Sequence, residues 1–341
     1  MRRFVVTFVT VAIDPSDSEW LQVQLSLRRD GLGLRRLALH CSAAYLASVN
    51  KAGCSAPLDE FTLHAVTLFN SLVPPASSIS EESLLESCLS QKVLSSRIDD
   101  HQFDQLCLIS TPANHAHLLS VTSCHASSWL AVIPSRGLNL SLDPDEFQVA
   151  LKWWLGMDTS SQLHCPYCPD HQLDPPWASC CDVQRGWARL DGQLKVGHRY
   201  GAESSLSRPT DILVPNWMIG KPAAFDLTVV SPLNSTTLNE AGARSGSAAG
   251  KAEVRKHNAN DAKCTELGWV CIPLAIETYG CWGVEAQGSI SRLAARLALQ
   301  LQCSKSKAIT SIYQRLNLTL VRCNARALLS HARFQHSVGE G

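Results

Sequence analysis

Apolar and polar positions divide the chain into a helical first part and a last part that carries strands. Over about the first 155 residues apolar positions recur at helical spacing between polar breaks such as Pro74-Pro-Ala-Ser-Ser78. The clearest helix begins at Asp143-Pro144-Asp145-Glu146. Asp143 suits the N-cap, Pro144 the first helical position, and the two acids oppose the positive end of the helix dipole. Phe147, Leu151 and Trp154 or Leu155 then share one face, which predicts a Trp-rich core contact, and Gly156 can close the helix. Later the period shortens. Two apolar runs, Asp211-Ile-Leu-Val and Ala223-Ala-Phe-Asp226-Leu-Thr-Val-Val230, predict strands joined by a hairpin through Met218-Ile-Gly220-Lys-Pro222. From Thr237 to Leu267 the pattern predicts an Ala-rich helix, broken or tightly packed at Gly242, Gly246 and Gly250 and stopped by Gly268. A buried strand follows over Trp269–Ile276, then amphipathic helices over about 284–303 and 305–330, with Leu293, Ala294, Leu297, Leu301, Leu316, Leu320, Cys323 and Ala327 as core positions.

The order strand, strand, helix, strand predicts a small mixed-sheet α/β core, α+β over the whole chain, with carboxy-terminal helices. Three regions are expected: residues 1–160, mainly helical; 161–200, a Cys-rich joint; and 201–335, the sheet and its helices.

Composition leaves this picture intact. A chain of 341 residues, 45% hydrophobic and 18% charged, has an ordinary globular balance. Its formal net charge of zero hides a basic tail: Arg292, Arg296, Lys305, Lys307, Arg315, Arg322, Arg326 and Arg333 have no acid among them from Ser291 to Val338. Such a block can contact phosphates, or its arginines can lie over apolar surface. Most of the 14 cysteines stand alone in apolar segments, as Cys41, Cys88, Cys107, Cys271 and Cys323 do, so buried free thiols explain them better than disulfides. Met1-Arg-Arg followed by the apolar run Phe4–Ile13 imitates a short signal peptide, yet Asp14-Pro-Ser-Asp17 offers no small-residue cleavage site. No run approaches the roughly 20 apolar residues of a membrane span, so no membrane partner is expected.

Candidate chemistry gathers at two places. Asp211 and Asp226 put carboxylates on adjacent strands, a donor pair that suits Mg2+ or Mn2+ and phosphodiester chemistry; alternatively each merely ends or interrupts a strand. Upstream, His164-Cys165-Pro-Tyr-Cys168-Pro-Asp-His171 and Cys180-Cys181 place a C-x2-C pair where it can hold Zn2+. Cys165 and Cys168 would supply two ligands, with His171 or His164 and Cys180 or Cys181 completing four.

Several segments together resemble the carboxy-terminal part of reverse-transcriptase-like proteins of non-LTR retrotransposons, which carry a restriction-enzyme-like endonuclease of the PD-(D/E)xK group. They are Arg208-Pro209 through Pro215-Asn-Trp217, Gly220-Lys-Pro-Ala-Ala-Phe-Asp226, Ser231-Pro-Leu-Asn234, Arg255-Lys-His257 and Glu277-Thr-Tyr-Gly-Cys-Trp-Gly283. Trp20-Leu-Gln, Gly31-Leu-Gly33-Leu and Ala43-Ala-Tyr-Leu-Ala-Ser48 are similar to the connector after the polymerase palm, and His125-Ala-Ser-Ser-Trp129 and Ala150-Leu-Lys-Trp-Trp-Leu-Gly156 to the helices before the nuclease. The match covers nearly everything after Asp14 and leaves no room for a polymerase aspartate hairpin ahead of the connector. Ile98-Asp99-Asp100 mimics such a box, but in a polar stretch it reads as a solvated turn or helix end.

The resemblance implies a metal-dependent DNA endonuclease that nicks a target, with DNA as partner, element RNA as a second, and the nucleus as its place of work within the cell. Asp211 and Asp226 would hold the metal. The usual lysine two residues after the second acid is replaced by Thr228, so the role passes to Lys256 on the following helix, with Lys251 as fallback. Arg208, Lys251, Arg255 and Lys263 would contact phosphates, with Lys256, Asn260 and Lys263 along one helix face. Glu277 would assist the metal or cap local backbone. The sequence departs from the family in the second half of the Cys-rich joint, where Pro176-Trp-Ala-Ser179 and Leu190-Asp191 stand in place of histidines and an Arg-His pair. It also departs before Arg208, where an acid is expected and Lys195 and His198 are found; Glu203 is the available substitute. These departures keep open an inactive remnant that binds nucleic acid or a protein partner.

Overall fold

The structure is a computed structural model and describes residues 17–29, 31–53, 57–86, 88–157, 211–218 and 220–338. The Cys-rich joint lies outside the described residues, as do Glu203 and Arg208. The fold is mostly helical with one small three-stranded mixed sheet, an α+β architecture. The chain divides into two compact units, one ending at Ser110 and the other beginning at Thr111. Residues 112–157 therefore pack with the sheet, although the sequence pattern alone groups them with the helices before them. No helix among the described residues is long and apolar enough to cross a membrane.

The first unit contains α1 (Asp17–Gln24), α2 (Leu37–Ala52), α3 (Glu60–Asn70), α4 (Glu81–Glu86) and α5 (Gln91–Ile109). Leu46, Phe69, Leu84, Leu94 and Ile98 form its core. Two asparagines join its turns: Asn50 donates to the Leu84 carbonyl and accepts from the Leu89 N–H, and Asn70 makes the same two-way bridge to Ile79. Asp99 corrects the sequence expectation of a solvated turn or helix end. It lies in the middle of α5, 1% exposed, because the Arg35 guanidinium pairs with it there, while Asp100 pairs with Arg29. A buried carboxylate is tolerable when it is paired with a cation.

The second unit opens with α6 (Pro112–Val121) and α7 (Pro144–Trp154). Asp143 and Glu146 form a reciprocal capping box at the start of α7, and Gly156 takes a φ of 67° just past its end. Leu151, Trp153, Trp154 and Leu155 are buried, whereas Phe147 stays 41% exposed. The sheet follows. β1 (Ile212–Met218) pairs antiparallel with β2 (Lys221–Val230), turning through Gly220 at φ 71°. After α8 (Leu238–Ala243), the crossover helix α9 (Ser247–Glu266) leads to β3 (Val270–Glu277), which pairs parallel with β2. α10 (Val284–Gln300) and α11 (Lys305–Val338) complete the unit.

Strand alternation sorts the two faces of the sheet. Val230 and Ala275 meet Ala249 and Ala252 of α9, while Ala224 and Cys271 meet Cys264 near that helix's end. On the other face Val229, Leu274 and Ile276 pack against Trp282, Ile290, Tyr313 and Leu320. Helix ends inside this unit are capped at long range. Glu277, at the end of β3 and 1% exposed, accepts from the N–H groups of Ala248 and Ala249 at 3.1 and 3.3 Å, where Gly246 offers no capping side chain. Glu253, in the middle of α9, accepts from the N–H groups of Glu285 and Ala286, both at 3.1 Å, and so caps α10. Burial pushes both carboxyls above the ordinary range, and the N–H groups pull them back.

Several sequence expectations need correction. All nine cysteines that the structure describes are free, but Cys41 and Cys88 are exposed and Cys107 and Cys323 only half-buried, leaving Cys271 as the buried one of the five named above. Leu301 is 63% exposed because it lies in the turn after α10, and Leu293 and Leu316 line a cavity instead of closing the core. Part of the basic tail is tied into the fold. Buried Arg322 donates to the carbonyls of Asn139 and Ser141, Arg326 pairs with Glu146, and Arg296 donates to the Trp217 carbonyl and lies over its ring. Arg292, Lys305, Lys307 and Arg315 remain exposed.

The cap from Glu253 leaves no room at the start of α10. A Cβ on Gly283 would sit 2.1 Å from Glu253 Oε1. Gly283→Ala is expected to displace that carboxylate, leave two buried N–H groups unpaired and destabilise the unit by about 1–3 kcal/mol in denaturant unfolding. Glu253→Gln, which keeps an accepting oxygen, should cost less than Gly283→Ala.

Candidate functional site

The site lies where the hairpin ladder ends. Asp211, immediately before β1, donates its N–H to the Phe225 carbonyl at 3.0 Å and accepts the Leu227 N–H on Oδ2 at 2.9 Å. These two bonds bracket Asp226 and bring the two carboxyls close enough to influence each other. Asp226 is 7% exposed and points to the face of β2 covered by α9. From that helix Lys256 Nζ reaches both oxygens of Asp226 at 2.9 Å, and Asn260 Nδ2 donates to Oδ2 at 2.7 Å. The spacing of four between Lys256 and Asn260 puts both on the turn facing the acid.

Electrostatically the pair is unbalanced. Burial comes first in pushing the Asp226 carboxyl above the ordinary range, Lys256 draws it down by hydrogen bond and charge, and Asp211 pushes it up again. The donor set is all oxygen, which suits a hard divalent cation such as Mg2+ or Mn2+.

A cavity of about 740 Å3 opens beside the pair. Asp211, Thr228, Lys251, Arg255 and Lys256 form its polar side, and Leu227, Val229, Leu274, Leu316 and Leu320 are among its apolar walls. Thr228 shares the face of Asp226, two residues along β2. Lys251 is at the mouth but pairs with Glu240 at 2.8 Å, and Arg255 is exposed there.

The structure thus brings together Asp211, Asp226, Lys256, Lys251 and Arg255. Lys263 is exposed in the last turn of α9 and is not part of the cavity lining. Asn260, expected on a phosphate track with Lys256, is turned onto Asp226 instead. Glu277 is the cap of α9, the second of its two expected roles. Arg208 and the zinc candidates Cys165, Cys168, His171 and Cys180 lie outside the described residues. The capping role of Glu253 was not legible, because a lone acid in a helix looks solvated until its neighbour in space is known. His257, Asp261 and Cys271 were also missed as a group, although the four-residue spacing of the first two was visible.

No family model matches the chain, and neither does any curated protein or solved structure.

The raised Asp226 carboxyl sets a pH dependence. Stability associated with its protonated form is fully present below the unfolded carboxylate value of about 3.9 and is lost as pH rises through the higher folded value. Asp211→Asn keeps an oxygen for the Leu227 N–H and removes the neighbouring charge. The variant should be more stable than the wild type near pH 7, by about 0.5–1 kcal/mol, and the gap should close toward about pH 4 in melts across that range.

Proposed function

We propose that the chain is a retroelement-derived, metal-dependent DNA endonuclease whose core is of the PD-(D/E)xK kind. One observation carries this reading: two neighbouring carboxylates end a β-hairpin, and a lysine from the crossover helix meets the second of them at 2.9 Å. That is the arrangement expected when the lysine comes from the helix instead of from the strand.

Bound by the two carboxylates, Mg2+ or Mn2+ would polarise a phosphodiester and acidify a water. Asp211 and Asp226 hold the position by their ladder and side-chain bonds. Asn260 fixes the orientation of Asp226, and Lys256 is placed to orient the attacking water or steady phosphate charge. Arg255 and Lys251, at the mouth, would draw in the backbone of DNA, the partner this charge distribution suits; element RNA offers the same phosphates. Work on chromosomal DNA would place the protein in the nucleus.

The second reading, a binder that cuts nothing, is favoured by the saturation of Asp226, since both of its oxygens already have a protein donor. Nicking of supercoiled plasmid by the full chain with Mg2+ or Mn2+ separates the two. Asp226→Ala and Lys256→Ala should each lower the rate by about 100-fold or more while DNA retention persists. A folded wild-type protein that retains DNA without nicking it would overturn the endonuclease reading in favour of the binder.

A further inference from the structure

A second group of ligands lies one strand over from the carboxylate pair. His257 and Asp261 are one turn apart on α9, and Cys271 is the second residue of β3, where it pairs with Ala224 of β2. One ligand atom from each lies within 4.8 Å of the other two. We infer that His257, Asp261 and Cys271 form a binding site for a zinc-class divalent ion that fastens the second half of α9 to β3.

The chemistry of the three donors selects the ion. Imidazole and thiolate with one carboxylate suit Zn2+, whereas the all-oxygen pair at Asp211 and Asp226 suits a harder ion. The second ring nitrogen of His257 is already engaged. Nε2 lies 2.7 Å from Glu285 Oε2, while Nδ1 lies 2.8 Å from Asp261 Oδ1 and faces the other ligands. A carboxylate that holds one imidazole nitrogen and leaves the other for metal is the usual outer support of a histidine ligand. A zinc-class ion would replace the proton now shared between His257 and Asp261.

Access and coordination number agree with this assignment. A depression of about 470 Å3 borders all three ligands and Glu285, with Lys221 and Trp269 also on its wall. It gives an ion an entry path and leaves the fourth position to water. A thiol binds as the thiolate, so uptake of the ion must release the Cys271 proton. Lys256 and Asn260, which hold Asp226, sit in the same two turns as His257 and Asp261. An ion here would therefore steady the lysine of the carboxylate site. The inference rests on the cluster's own geometry and does not require that the chain cut DNA.

The test is direct metal binding by the full chain carrying Cys165→Ser and Cys168→Ser, which removes the other zinc candidate. Competition against a chelator should give one Zn2+ per chain, and Co2+ should show thiolate charge-transfer absorption in the near ultraviolet. Cys271→Ser should abolish that absorption and weaken Zn2+ by about 100-fold or more, and Glu285→Gln should weaken it about 10–100-fold. Zn2+ at about 100 times its dissociation constant should raise the melting temperature by about 5 °C, and Cys271→Ser should remove that rise. Asp261 is exposed, so Asp261→Asn tests the site without disturbing the core. A cooperatively folded background protein that binds no Zn2+, or that binds it equally well with Asp261→Asn or Cys271→Ser, overturns the inference.

Discussion

The close approach of α9 to β2 and β3 is the constraint on which the second unit depends. Ala249 and Ala252 rest on Ala275 and Val230, so small side chains set the spacing between helix and sheet there. Such contact buries little apolar area per residue, so the helix needs fastening at its ends. Glu277 supplies one fastening by capping its first turn, and Glu253 passes the restraint onward by capping α10. Both carboxylates are buried, and each satisfies two backbone donors that would otherwise be left without partners. The crossover helix is thereby held at a depth where Lys256 and Asn260 reach Asp226.

That depth also explains the electrostatics of the site. Asp226 would be an unfavourable buried charge without Lys256, and Asp211 beside it returns part of the cost. Burial sets the direction of the Asp226 pKa shift, and Lys256 and Asp211 act on it in opposite senses. The contrast with the first unit is informative. Buried Asp99 is paired with Arg35 and has His40 Nε2 3.6 Å away. It behaves as a structural ion pair.

Much of this arrangement was legible in the sequence because it follows from local rules. The capping residues of α7, the hairpin around Gly220, the alanine-rich crossover helix and the third strand are all written in short-range patterns. Asp211 and Asp226 stood out because acids are uncommon in strands, and the structure sets Lys256 against the second of them. What escaped depends on neighbours remote in sequence. Glu253 looks like any helical surface acid until α10 is placed over it. Asp99 looks solvated until Arg35 is brought beside it. Arg322 and Arg326 read as a basic tail but serve carbonyls and Glu146. Leu293 and Leu316 have core spacing yet face a cavity, since periodicity gives the face of a helix and not what stands opposite.

The central claim is that Asp211 and Asp226 jointly hold a hard divalent cation. The measurement that meets it most directly is anomalous scattering from crystals of the protein soaked in Mn2+. The expected result is a single strong peak within coordinating distance of one oxygen of each carboxylate, with the Lys256 ammonium displaced from Asp226. An empty position between the two acids at saturating Mn2+, with Lys256 still paired to Asp226, would contradict it.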